Sequence, residues 1–294
     1  MSSSLALQIA DVNKVYGNGV KALDSVSLDI QPGMFGLLGH NGAGKSSLMN
    51  TLATLQLPDT GSIRLDGIDV LNDPSAARLM IGYLPQEFGV YPGVAAEELL
   101  DYMAQLKGIS DPKKRRADVE RLLHNVNLWD VRDRSVDTYS GGMRQRFGVA
   151  QALIGAPKLL IVDEPTAGLD PTERNRLYEI LAGISRDCIV FLSTHIVDDV
   201  ATLCEQMAIL HRGEIAGTGT PDEFVDRLRG RIWETTATLE DKPRLQTELA
   251  VIATRIHQGR LKVIVEADQS PGKGFVPKEP NLEDAFFSVT HVKG

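Results

Sequence analysis

Two short stretches of this chain gather residue types that handle phosphate. The first is Gly39-His40-Asn41-Gly42-Ala43-Gly44-Lys45-Ser46, which fits G-x-x-x-x-G-K-[ST]. It follows an apolar run, Met34–Leu38, and precedes apolar residues at helical spacing, Leu48, Met49 and Leu52. That strand–loop–helix context is the one in which this pattern has a mechanism. Glycines let successive backbone N–H groups turn inward around phosphate oxygens. The helix that follows aims its positive end at the same anion. Lys45 is then placed to reach β- and γ-phosphates, and the Ser46 hydroxyl to ligate Mg²⁺. The second stretch, Leu159-Leu160-Ile161-Val162-Asp163-Glu164, is an apolar run that ends in two carboxylates. In open α/β sheets ligands collect at the carboxyl ends of strands. Asp163 there suits a hydrated or directly bound Mg²⁺, and Glu164 suits polarising an attacking water. A strand ending in acids is ordinary by itself; behind a phosphate loop it acquires this chemistry.

A third stretch, Tyr139-Ser140-Gly141-Gly142-Met143-Arg144-Gln145-Arg146, resembles the signature motif of ABC ATPases, with Tyr and Met where Leu and Gln are commonest. The other landmarks of that family stand in its order over about residues 5–225. Tyr16 is similar to the aromatic that stacks on adenine. Gln86 in Tyr83-Leu84-Pro85-Gln86-Glu87 matches the Q-loop glutamine, Asp170 in Ala167-Gly168-Leu169-Asp170 the D-loop aspartate, and His195 in Ser193-Thr194-His195 the switch histidine. The resemblance implies ATP and Mg²⁺. It assigns nucleotide contacts to Tyr16, Gly39, Asn41, Gly42, Ala43, Gly44, Lys45, Ser46 and Ser47, metal contacts to Ser46, Gln86 and Asp163, and catalytic roles to Glu164, His195 and Gln86. Ser140, Gly141 and Gly142 offer a second helix N-terminus with a hydroxyl, hence a second anion site. One chain does not need two sites for a γ-phosphate. The resemblance implies that these residues and Asp170 serve the nucleotide of a second cassette, a copy of this chain or a homologue, in a head-to-tail dimer.

The elements that must carry these residues are legible from periodicity. Leu7–Val12, Val26–Ile30, Met34–Leu38, Ser62–Gly67 and Ile81–Leu84 read as strands. From about residue 94 to 155 the apolar residues fall at helical spacing, with Leu99, Leu100, Met103 and Leu106 on one segment and Leu122, Leu123 and Val126 on another. Leu159–Val162 and Ile189–Leu192 are short apolar runs of the buried parallel kind, with helix-like residues after Pro171. Beyond these, Ile232–Leu239, Val251–Ile256 and Leu261–Val265 read as strands, and Leu282–Val289 as a last helix whose apolar face (Leu282, Phe286, Val289) packs on those strands. The expected fold is α/β: a P-loop NTPase core with the mixed sheet, antiparallel β subdomain and helical insertion that the ABC resemblance implies, plus a small α+β appendage. Expected boundaries are 1–225 for the cassette, with its helical part at about 87–155, and 226–294 for the accessory domain.

Bulk properties narrow the class. The 294 residues carry a formal charge of -8, which argues against broad nucleic-acid binding and against adhesion to anionic lipid. The one basic cluster, Lys113-Lys114-Arg115-Arg116, reads as a solvated helix face. Two scattered cysteines, Cys188 and Cys204, are neither a disulfide framework nor a metal cluster and fit a reducing compartment. Met1-Ser2-Ser3-Ser4 has no basic leader character, and no segment nears the roughly 20 apolar residues that span a bilayer. The ABC resemblance implies integral membrane permease subunits as partners, with the chain docking from the cytoplasmic side through a groove that includes Phe88–Pro92; the absence of an apolar span adds the expectation that it does so without inserting itself. The alternative within the family is a non-transport ATPase acting as an ATP-gated clamp in translation or DNA metabolism. A single cassette, no long heptad run and the acidic balance favour transport. Intact Lys45, Asp163, Glu164 and His195 argue against a catalytically dead cassette. Asp198-Asp199, Gly213-Glu214-Ile215, Gly217–Phe224 and Asn281–Phe287 resemble bacterial exporter cassettes of the drug, antibiotic, lipid and polysaccharide group.

Overall fold

The computed structural model of the protein describes residues 5–186 and 188–291; Met1–Ser4, read above as lacking a leader, lie outside them. Described in chain order, β1 (Leu7–Val15), β2 (Lys21–Ile30) and β3 (Gly33–Leu38) lead into α1 (Lys45–Leu52). Then come β4 (Thr60–Leu65), β5 (Ile68–Asp69), α2 (Pro74–Met80) and β6 (Ile81–Leu84). A helical stretch follows: α3 (Ala96–Leu106), α4 (Pro112–Asn125) and α5 (Gly141–Ala152). The alternating rhythm resumes with β7 (Leu159–Asp163), α6 (Pro171–Ile184), β8 (Ile189–Thr194) and α7 (Val197–Leu203), followed by β9 (Gln206–His211) and β10 (Glu214–Gly219). The rest is α8 (Pro221–Asp226), β11 (Ile232–Ala237), α9 (Lys242–Glu248), β12 (Val251–His257), β13 (Arg260–Glu266), β14 (Val276–Pro277) and α10 (Leu282–His291). Among the described residues no helix is long and apolar enough to cross a membrane.

Strands β3, β8, β7 and β6 lie side by side in parallel, in that order. Leu159–Val162 and Ile189–Leu192 have no measurable exposure, because a parallel strand covered on both faces has no solvent side. Each such side chain contributes about 1.5–3 kcal/mol by leaving water. Parallel register puts the C-terminal ends of all four strands on one edge. There Leu38 runs into the glycine loop, Leu84 approaches Gln86, Asp163 precedes Glu164, and Thr194 precedes His195. The first half also contains an antiparallel sheet of order β2-β1-β4-β5.

The helical stretch departs from its sequence reading in two places. Leu106, expected on the apolar face of α3, is 71% exposed, while Ala104 takes the buried position. In the basic cluster, Lys113, Lys114 and Arg116 are solvated, but Arg115 turns back. Its guanidinium donates to Asp101 Oδ1 at 2.9 Å and to the carbonyls of Ile109 (3.1 Å) and Ser110 (2.9 Å). Arg115 therefore ties α4 to α3 across the turn between them, a use of planar multiple donors that a lysine lacks.

The chain divides into two compact units, one running through Glu205 with Leu210–Ile215, the other comprising Gln206–Ile209 and the chain from Ala216 on. The second contains an antiparallel sheet of order β12-β13-β11-β14. Its core gathers Leu245 of α9 with Leu261, Val263 and Val265 of β13. Helix α10 packs on α8 and β12, burying Leu282 and Phe286, so its apolar face is covered within the appendage.

Candidate active site

The loop after β3 is shaped by close backbone approach. Gly44 has φ of 110°, and a Cβ there would lie 2.2 Å from the carbonyl oxygen of Ala22. Only glycine meets both conditions. A Cβ on Gly39 would come within 2.6 Å of the Leu210 carbonyl. The Gly213 N–H donates to Ala43 O at 2.9 Å, and the Ala43 N–H to His40 O at 3.1 Å. Lys45, the first residue of α1, is 6% exposed. Its ammonium donates to the carbonyls of Gly39 (2.7 Å) and His40 (3.3 Å) and stands 3.8 Å from Glu164 Oε1. Burial pushes the Lys45 ammonium below its ordinary range, and the nearby Glu164 and Asp163 carboxylates offset part of that. Burial acts oppositely on Asp163, holding its carboxyl above the usual value.

Glu164 occupies a strained position. Its φ is 48°, in the left-handed region that costs a non-glycine residue of order 1–3 kcal/mol. The conformation is fixed by its N–H, which donates to Ser193 O on β8 at 2.8 Å. The carboxylate that results is the meeting point of the site. His195 Nδ1 lies 2.8 Å from Oε1, and Gln86 Nε2 donates to Oε2 at 3.3 Å.

Lys45, Gln86 and Glu164 line a cavity of about 560 Å³. Of the residues singled out from sequence, Tyr16, Asn41, Gly42, Gly44, Lys45, Ser46, Ser47, Gln86, Asp163 and Glu164 form its wall. Gly39 and Ala43 shape the loop from behind, and His195 reaches the site through Glu164. Tyr16 is anchored at the rim: its hydroxyl lies 3.0 Å from Ser47 Oγ and 3.1 Å from Gln56 Oε1. Gln56 itself donates to Ser47 O (2.7 Å) and Thr51 Oγ1 (2.9 Å). Sequence reasoning did not single out Gln56, or the wall residues Val20, Lys21, Ala22 and Arg212. Val20–Ala22 follow the Tyr16 turn directly, which is a local signal. Arg212 comes from a distant hairpin and has none.

Ser140, Gly141, Gly142 and Asp170 are absent from that wall. Ser140 caps α5, accepting from the Met143 N–H at 3.3 Å. Asp170 caps α6, accepting from the Glu173 N–H at 2.9 Å. The two helix starts are joined to each other. The Glu173 carboxylate lies so close to Gly142 that a Cβ there would meet it at 2.3 Å, and its Oε2 is 3.3 Å from Arg146 Nε.

A glycine loop with a buried lysine, facing two carboxylates at the ends of parallel strands, defines a nucleoside triphosphatase of the P-loop class. Comparison with known proteins narrows the class. A sequence model described as ABC transporter matches residues 23–167. The daunorubicin/doxorubicin resistance ATP-binding protein of Streptomyces peucetius is 36% identical over 97% of this chain and 92% of its own length. The Nod factor export ATP-binding protein I of Cupriavidus metallidurans is 33% identical over 97% of both chains. Among solved structures, one described as the ATP binding subunit of an ABC transporter superposes with a TM-score of 0.67, at 29% identity, covering 82% of this chain and 99% of its own. A dimeric ATP-binding cassette in a post-hydrolysis state bound to ADP and Pi superposes with a TM-score of 0.66 at 24% identity, a likeness of fold, over 73% of this chain and 98% of that one. This chain belongs to the ATP-binding proteins of ABC transporters; it binds and hydrolyses ATP.

Proposed function

We propose that the chain powers an exporter through a head-to-tail pair of cassettes docked on separate membrane permease subunits, at the cytoplasmic face of the cell membrane. The observation that carries the pairing is the division of the motif residues. Lys45, Asp163 and Glu164 line one cavity, while Ser140–Gly142 and Asp170 start two helices outside its wall that meet where Glu173 packs on Gly142 and pairs with Arg146. In this reading that half of the phosphate-handling chemistry, outside the wall of the chain's own nucleotide cavity, serves a second copy.

In this reading the loop N–H groups and Lys45 receive the β- and γ-phosphates of ATP, and Tyr16, steadied by Ser47 and Gln56, offers its ring to the adenine. Residues present fit a magnesium ion: the Ser46 hydroxyl, the Asp163 carboxylate and the Gln86 amide are oxygen donors on one wall. A magnesium ion held by these three residues would supply charge neutralisation for the phosphates. Glu164 accepts a hydrogen bond from the attacking water, and His195 and Gln86 hold that carboxylate in place. Ser140 and the N-terminus of α5 in the partner copy close the site on the γ-phosphate. Phosphoryl transfer needs position and charge compensation more than covalent help, and this set supplies both. Gln86 and the adjoining Phe88–Pro92 lie between the strand edge and the helical stretch, a suitable place to report nucleotide state to a permease.

Export is favoured over a clamp in translation or DNA metabolism by the relatives, whose names speak of drug resistance and Nod factor export. Cargo choice belongs to the membrane subunits. The test is Glu164→Gln. We expect nearly complete loss of hydrolysis and accumulation of an ATP-bound dimer, read by phosphate release and size-exclusion chromatography. Unchanged hydrolysis would remove Glu164 from its assigned role.

A further inference from the structure

Asp199, on α7, has no measurable exposure and takes no part in the mechanism above, yet its carboxylate collects hydroxyls from three other segments. Thr166 Oγ1 donates to Oδ2 at 2.5 Å and Thr194 Oγ1 to the same oxygen at 3.0 Å. The Tyr178 hydroxyl of α6 donates to Oδ1 at 2.5 Å, and Arg174 Nε lies 3.8 Å from that oxygen. A carboxylate can be kept in such a place only with its lone pairs satisfied and a cation near. Thr166 and Thr194 are each 1% exposed, so neither can exchange Asp199 for water.

The positions of the two threonines give the cluster its meaning. Thr166 lies two residues after Glu164, in the turn whose Leu169 N–H closes onto Thr166 O at 3.2 Å. Thr194 is the last residue of β8, directly before His195, and its Oγ1 also accepts from the Ile196 N–H at 2.9 Å. One carboxylate oxygen therefore ties the turn that carries the catalytic carboxylate to the turn that carries the histidine, and the same two turns meet again in the 2.8 Å contact between Glu164 and His195. Through Tyr178 the tie extends into α6, which begins at Asp170.

We propose that Asp199 is a positioning residue for ATP hydrolysis: it holds Glu164, by way of Thr166, in register with His195, by way of Thr194. The proposal rests on the roles given above to Glu164 and His195. Its loss should spare nucleotide binding, because Lys45 and the glycine loop have their own supports. It should instead slow the chemical step, since a displacement on the order of 1 Å costs up to about 100-fold in rate.

The test compares Asp199→Asn, Thr166→Val and Thr194→Val with Thr166→Ser and Thr194→Ser in the full chain. For Asp199→Asn we expect kcat to fall on the order of 10- to 100-fold, with KM for ATP within about threefold, the pattern of an interaction that matters only in the transition state. The His195 ring resonances in NMR spectra of the nucleotide-free protein should shift as well, while the split between an affected kcat and an unaffected KM separates positioning from general loosening of the fold. Each valine variant should lower kcat and each serine variant restore it. A folded Asp199→Asn variant with kcat within twofold of the parent overturns the proposal. Should Asp199→Asn arrive unfolded, the valine variants decide: full kcat in both overturns it. Glu164→Gln run alongside separates the two levels. Hydrolysis that survives Glu164→Gln overturns the underlying reading, whereas loss there with no loss at Asp199 overturns this proposal alone.

Discussion

Lys45 and Asp163 bring opposite charges to one buried floor, and burial disfavours the charged form of each. The lysine is held below its ordinary value of 10.5 and the aspartate above its ordinary 3.8. For folding, the signs oppose each other. Between 3.8 and the raised Asp163 value, the folded chain keeps a proton that the unfolded chain has lost, so stability falls as pH rises through that window. Between the lowered Lys45 value and 10.5, the folded chain has released a proton that the unfolded chain keeps, so stability rises with pH there. For binding, a phosphate anion favours the charged lysine. Nucleotide affinity measured without metal should therefore decline as pH rises, beginning below 10.5, and binding in that range should take up a proton. Calorimetry in two buffers of different ionisation enthalpy checks this; affinity that holds until pH 10.5 contradicts it. At this scale the sequence was most informative where a residue ends a recognisable run. Lys45, Asp163 and Gln86 each follow an apolar strand, so their neighbours announce them. Arg212 and Gln56 have no such neighbours, and their places depend on tertiary approach that no local pattern encodes.

At the scale of elements, β6 is pressed against the end of α5. A Cβ on Gly82 would lie 2.0 Å from the carbonyl oxygen of Ala152, so the glycine sets the closest distance between the strand leading to Gln86 and the helix capped by Ser140. Gly82→Ala should act as overpacking against backbone, costing about 1–3 kcal/mol. Its melting temperature should fall by several degrees; an unchanged value would show that the contact can relax freely. The long apolar runs of β7 and β8 were readable because burial on both faces leaves no alternation to confuse them. Two short elements were not. Helix α9 buries only Leu245 among its seven residues, and β14 is two residues held by Trp233 and Glu234 of β11. Neither has enough periodicity to register. The basic cluster misled for a related reason: composition shows four like charges, while geometry turns one of them, Arg115, into a brace between α3 and α4.

For the whole molecule, head-to-tail pairing makes a complementation prediction. A variant lacking Lys45 (Lys45→Ala) and another lacking the cap hydroxyl (Ser140→Ala) should each hydrolyse ATP poorly alone. Mixed, they form heterodimers in which one site carries both defects and the other carries neither. Phosphate release should therefore recover on mixing, toward half the parental rate per dimer formed. Additive, uniformly low activity would show that Lys45 and Ser140 act within the same chain.

The glycine loop carries one more consequence. Its course is set from within the chain: Gly44 abuts Ala22, Gly39 abuts Leu210, Gly213 holds Ala43, and Lys45 caps the carbonyls of Gly39 and His40. Capture of a nucleotide therefore requires little loss of conformational entropy from the loop, and encounter rather than loop ordering should set the association rate.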